Sequence, residues 1–182
     1  MKKIVIAAVL MMALGLAACG QNEAPAAQQQ NGGGANMANP WRDITEAEVK
    51  DLCPQPFRSP VGAQNVHWSV MESAADPSGV PGALVQLKFD LDGNSFTARQ
   101  QKTGDEEIDA SGMYYKWTAQ AAGVLKNWNG EACMNYRFIG ENEWADLCIW
   151  HDAAVGVSYS VSVVAEDHDG FDLQALAEAL HP

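Results

Sequence analysis

The sequence predicts an α+β domain: an antiparallel β-sheet of about five to seven strands packed with short N-terminal and C-terminal helices. Three observations carry that expectation. Residues 131–164 alternate side chains with period two and are rich in Val, Ile, Tyr, Phe and Trp, the residues that fit a pleated surface. Asp92-Gly93 stands between two alternating runs and is the turn chemistry of a tight hairpin. Residues 169–180 then switch to helical spacing, with Leu173, Leu176 and Leu180 on one stripe, and such a helix completes a core by lying across a sheet's apolar face.

The elements come in this order. Residues 1–18 read as a lipoprotein signal peptide: Lys2 and Lys3, an apolar stretch over 4–16, then the small residues Ala17 and Ala18. The apolar stretch is shorter than the ~20 residues a spanning helix needs. Leu16-Ala17-Ala18-Cys19 fits a bacterial lipobox, so cleavage before Cys19 and lipidation of Cys19 with diacylglyceryl and palmitate are expected. One acyl chain holds a protein only marginally, and a diacylglyceryl group supplies the second. Residues 19–39 form the lipidated Cys and a flexible tether containing Gln28-Gln29-Gln30 and Gly32-Gly33-Gly34. Random-coil scaling gives it a reach of roughly 25 Å.

The remaining residues, 40–182, are expected to form a single folded β-rich domain. A first short helix spans 45–52, with Thr45 and Glu48 as a capping box and Ile44 against Val49 as a hydrophobic staple. Cys53-Pro54-Gln55-Pro56 ends it, because proline cannot continue a helix. A first strand is expected over 66–71, a loop over 76–82, a strand over 83–91 and its hairpin partner over 94–102, with Phe96 and Ala98 facing one way. Residues 103–112 read as an acidic loop in which 105–107 could make a helical turn. Residues 113–125 are open between one strand and two strands with a turn at Gly123. Trp128-Asn129-Gly130 marks another turn. A three-stranded meander with one buried face follows over 131–164.

The charge narrows the partners. Removing Lys2 and Lys3 with the signal peptide takes the formal net charge from −12 to −14. Nucleic acid is not expected as a partner, since phosphate contacts need clustered Lys and Arg. Anionic headgroups are unfavourable for the same reason, so membrane association rests on Cys19 alone.

Beyond Cys19 the chain has Cys53, Cys133 and Cys148. If Gly140-Glu141 is a two-residue turn, positions summing to 281 face each other, and Cys133 lies opposite Cys148. Facing Cα atoms stand about 4.5–5.5 Å apart, inside the range of a disulfide. An exported address permits oxidation. A Cys133–Cys148 disulfide is therefore expected, with Cys53 free or competing.

No catalytic constellation is apparent. His67, His151, His168 and His181 lie in no ligand spacing. Asp90-Leu91-Asp92-Gly93-Asn94 resembles half a calcium loop, but its glycine is misplaced and Gln101 stands where the closing Glu belongs. Nucleophile-elbow and phosphate-loop motifs are missing, and no cofactor is expected. Six tryptophans are many for this length. Trp144, Trp150 and His151 make the outer face of the 131–152 hairpin the candidate binding surface, although strand-end residues are the better reading of His67 and His151. Metal ligation is not expected.

Several short signatures carry a family resemblance: the lipobox and tether, Asn39-Pro40-Trp41, Ala98-Arg99-Gln100-Gln101-Lys102, Ile108-Asp109-Ala110-Ser111-Gly112, Ile149-Trp150 and Gly156-Val157-Ser158-Tyr159-Ser160-Val161. Together they resemble a group of uncharacterised lipoproteins from anaerobic Gram-positive bacteria that share a C-terminal domain of unknown function. The resemblance implies an envelope lipoprotein with an antiparallel sheet and flanking helices, and no activity. The chain departs from that pattern at Leu52-Cys53-Pro54 and in its cysteine pair. The functional expectation is a monomeric, lipid-anchored extracytoplasmic domain at the cell membrane or envelope. It would bind an envelope protein or ligand, or serve structurally, without catalysis; a ligand-sensing or solute-binding module and an envelope hydrolase are the alternatives.

Overall fold

In the computed structural model, which describes residues 39–75, 81–166 and 171–182, local chemistry sets the first elements. A three-residue strand β1 (Arg42–Ile44) runs into helix α1 (Glu46–Leu52). The Thr45 side chain accepts from the Glu48 N–H, and Glu48 accepts from the Thr45 N–H at 2.8 Å, so the expected capping box is present. Ile44 and Val49 are both buried. Hydrogen bonding to Thr45 holds the Glu48 carboxyl below its usual range.

Among the described residues the sheet has eight strands, more than expected. They are β1, β2 (Gln64–Ala75), β3 (Pro81–Leu91), β4 (Asn94–Lys102), β5 (Ala119–Leu125), β6 (Glu131–Ile139), β7 (Trp144–Asp152) and β8 (Val157–Ala165). A second helix, α2 (Leu173–Ala179), closes the chain. The strand order is β1-β2-β3-β4-β8-β7-β6-β5, with every neighbouring pair antiparallel. This is two four-stranded meanders joined along β4 and β8. Asp92 and Gly93 take φ of 50° and 83°, as the tight β3–β4 hairpin demands.

The register sorts the residues onto two faces. One face carries Trp68, Val70, Leu87, Phe96, Ala98, Tyr159, Val161, Trp150 and Cys148, with Phe96 and Ala98 together as expected. This is the helix face. Its residues form one core with Val49 of α1 and with Leu173, Leu176, Ala177 and Leu180 of α2. The aromatic centre is Trp128 in the β5–β6 turn. Its ring packs at 4.7 Å from Tyr159, 5.1 Å from Trp150, 6.3 Å from Phe57 and 4.8 Å from His181. Its Nε1–H donates to the Ala177 carbonyl at 2.8 Å, which fastens α2 to the sheet.

The opposite face is covered as well, so the meander does not bury one face only. The connection 103–118 carries the chain from β4 in the middle of the sheet to β5 at its edge. It crosses the face opposite the helices. Ile108 N–H donates to Ser158 Oγ at 3.0 Å, and Arg99 donates to the Ser111 carbonyl. Tyr115 and Trp117 pack on Phe138 and Tyr136 at 4.9 and 5.5 Å. Strand β8 is consequently buried on both sides over Val157–Val163. Serines at 158, 160 and 162 suit the covered polar side because they are small and find partners there, such as the Thr97 carbonyl for Ser162. No turn forms at Gly123 and no helical turn at 105–107.

Candidate functional site

The described strands leave one end of the helix face uncovered, and a groove of about 440 Å³ lies there. Its floor is Asn135, Arg137 and Asp146 from β6 and β7. Ala119, Gln120 and Ala121 of the edge strand β5 form the outer wall. Phe171, Asp172 and Gln174, at the start of α2, form the inner wall. The size falls within the ordinary range of ligand pockets.

The floor is rigid and neutral. Arg137 and Asp146 face each other across β6 and β7. The guanidinium donates from Nε and Nη2 to the two carboxylate oxygens, at 2.9 Å each. Asp146 is only 3% exposed, and its bonds to Arg137 push the guanidinium pKa up. Such a two-point pair holds both planes fixed. Asp172 is occupied as the N-cap of α2, accepting from Ala175 N–H at 2.9 Å.

Behind the floor sits a pair of thiols. The β6–β7 connection is four residues, 140–143, closed by Gly140 N–H donating to the Glu143 carbonyl at 2.8 Å. The expected turn was two residues. The longer loop moves the register by two, so Cys133 lies opposite Trp150 and Cys148 opposite Asn135. Cys133 and Cys148 are therefore diagonal neighbours on the helix face, and both are free thiols, as is Cys53. The expected facing geometry is corrected to a diagonal one, which removes the spacing argument made for a Cys133–Cys148 disulfide. Pairing with Cys148, with Asn135 and the Gly123 backbone beside it, holds the Cys133 thiol below its ordinary value. Pairing with Cys133 and burial push Cys148 up. Burial lifts Cys53 to about 11. Gly123 makes the arrangement possible: a Cβ there would lie 2.9 Å from Cys133 Sγ and 2.2 Å from Gln174 Oε1.

The surface trio separates. Trp144 is half-buried and shares the face of the cysteines, away from Leu147, as its position in the alternation implies. That face is the inner, helix-covered one and not an outer surface. Trp150 is fully buried, its ring stacked on Tyr159 at 5.2 Å and 9°. His151 points to the opposite face, with Nδ1 3.1 Å from Ser158 Oγ. The sequence offered no base partner for any serine, yet the β7–β8 register places His151 across from Ser158. The pair is not a nucleophile and its base. Ser158 is fully buried, accepts from Ile108 N–H, and reaches the Glu106 carbonyl at 3.3 Å and Thr103 Oγ1 at 3.0 Å. A hydroxyl satisfied this fully and sealed under the crossover has no path to a substrate. His67 pairs with Asp43 at 3.1 Å on the surface.

Known proteins offer no guide. No protein-family model matches the chain, and no curated protein and no solved structure is significantly similar to it. Cys19 and the lipobox, the tether up to residue 38 and His168 lie outside the described residues. The groove itself had no signature in the sequence. Its one legible trace was the run Ala119-Gln120-Ala121-Ala122-Gly123, too small in side chain to fill the space beside α2.

Proposed function

We propose that the chain is a lipid-anchored extracytoplasmic lipoprotein of the cell envelope whose folded domain binds a ligand without transforming it. The groove floored by the Arg137–Asp146 pair carries the binding half of this reading: it is concave, partly apolar and built on strands. The anchoring half rests on Leu16-Ala17-Ala18-Cys19 and the polar stretch that follows, and residues 39–180 resemble modules borne by such lipoproteins. Diacylglyceryl-Cys19 holds the protein to the membrane, and the tether frees the domain to meet a partner. The sealed Ser158 weighs against a hydrolase. A solute-sensing module would use the same groove with a small ligand.

Two measurements test the proposal. Cys19→Ala should move the protein from the membrane fraction to the soluble fraction; retention in the membrane refutes the anchor. A thermal-shift panel of glycans, peptides and small organic ions should contain a ligand that stabilises the wild type and loses at least ten-fold in affinity with Arg137→Met, since the pair shapes the groove floor. If every ligand that binds is indifferent to Arg137, the groove is not the site.

A further inference from the structure

The two edges of the sheet are built differently. β1 is three residues long, follows Pro40, and carries Arg42 and Asp43. Short length, proline and charge are the usual protections against further strand pairing. β5, the other edge, has none of them. It is seven residues long, reads Ala-Gln-Ala-Ala-Gly-Val-Leu, and has neither charge nor proline. Ala119, Gln120, Ala121, Ala122 and Val124 are all exposed.

The backbone of β5 can be assigned side by side. The Leu125 carbonyl accepts from Gly130 N–H at 3.0 Å, so it points toward β6. The Val124 carbonyl accepts from Gln174 Nε2 at 2.9 Å, so it points away. Backbone groups alternate along an antiparallel strand, which turns the N–H and C=O of Ala122 and Gln120 away from β6 also. Among the described residues no strand pairs with them.

We infer that β5 is a docking edge for an extended, basic peptide segment of a partner protein, which adds to the sheet as one further antiparallel strand. This deepens the binding reading above and rests on it. Main-chain bonds to Gln120 and Ala122 supply the pairing, and alternate side chains supply selectivity. The groove lies immediately beside this edge. Beside the groove, the helix face of β5 presents Ala119 and Ala121, so a long side chain on the added strand reaches over methyl groups into the groove. Charge selects the occupant. A mature net charge of −14 attracts a Lys- or Arg-bearing segment and repels a second copy of the same chain.

The probe is a fluorescent synthetic peptide alternating Lys and Val, set against its Glu–Val counterpart, with the lipidated full-length protein in nanodiscs. The Lys–Val peptide should bind at least ten-fold more tightly than the Glu–Val one. Ala122→Pro should weaken it ten-fold or more without moving Tm by more than a few degrees, because an edge N–H facing outward is one a proline can replace. Independently of any variant, N-methylation of one alternate set of peptide amides should abolish binding while methylation of the other set leaves it. Equal loss from both sets, no loss from either, or no binding of the Lys–Val peptide overturns the inference. So does a protein dimer that Ala122→Pro dissociates, which makes a second copy the occupant. A ligand that depends on Arg137 but not on Ala122 overturns strand addition while leaving the groove as a binding site.

Discussion

Trp128→Phe is the most informative single perturbation, because one side chain joins the β5–β6 turn, β7, β8 and α2. The change removes the Nε1–H that donates to the Ala177 carbonyl at 2.8 Å. That carbonyl keeps a second donor, Leu180 N–H at 3.2 Å, so the lost bond costs only about 0.5–1.5 kcal/mol. The smaller ring leaves a void of roughly 35 Å³ in a fully buried site, worth about 1 kcal/mol at ~24 cal/mol per Å³. Some 40 Å² less apolar surface is buried, worth about 1 kcal/mol more. The sum is about 2–3 kcal/mol, or a Tm lowered by roughly 6–12 °C for a domain of this size. Urea unfolding followed by far-ultraviolet circular dichroism reads it directly. Amide exchange in α2 should rise more than exchange in β3 and β4, because the lost bond belongs to the helix. A loss below about 0.5 kcal/mol, or equal exchange changes everywhere, refutes the view that Trp128 fastens α2.

Two further outcomes follow from the same kind of reasoning. Gly112→Ala should destabilise by about 2–3 kcal/mol in the urea assay. The residue has φ +65°, and a Cβ would lie 2.6 Å from Arg99 Nη1, so left-handed strain adds to displacement of the guanidinium that binds the Ser111 carbonyl; an unchanged midpoint refutes it. Iodoacetamide labelling of Cys133 should rise with a midpoint below the ordinary thiol value of 9.0, and Cys148→Ala should move the midpoint up by removing the neighbouring thiol. A thiol whose pKa is lowered by folding stabilises the fold above the ordinary value and loses that contribution as pH falls through the lowered one. A midpoint that Cys148→Ala leaves in place refutes the pairing of the two thiols.

The legible parts of the fold are those whose signals are local. The Thr45–Glu48 capping box, the Asp92-Gly93 turn, β4 and the Leu173–Leu176–Leu180 stripe each lie within a few residues of sequence, and each is present. Misses arose where a neighbour distant in sequence decides the outcome. β1 is too short to alternate and exists because β2 pairs with it. β8 reads as half-exposed because its serines alternate with valines, yet the crossover 103–118 covers the serine side. The cysteine geometry turned on two residues of loop: a polar run of Gly140 to Glu143 closes as readily around four residues as around two, and each choice gives a different partner across the strand.

The groove follows from a mismatch of lengths. A nine-residue β7 extends about 30 Å at the usual rise. The seven-residue α2 covers only about 10 Å along its axis. One helix of that size cannot roof three strands, and the uncovered end must be filled by side chains or left open. Large residues could have filled it from the edge. Instead β5 offers alanines and a glycine, and the floor offers a guanidinium and a carboxylate that neutralise each other at 2.9 Å. Apolar packing was therefore not the solution at this end. A charged pair with its Asp held 97% from solvent contributes little to stability compared with a well-packed apolar pair of the same volume. The sequence keeps the costlier arrangement beside β5, the unprotected sheet edge among the described residues, and the proposed recognition of an extended basic segment would use both.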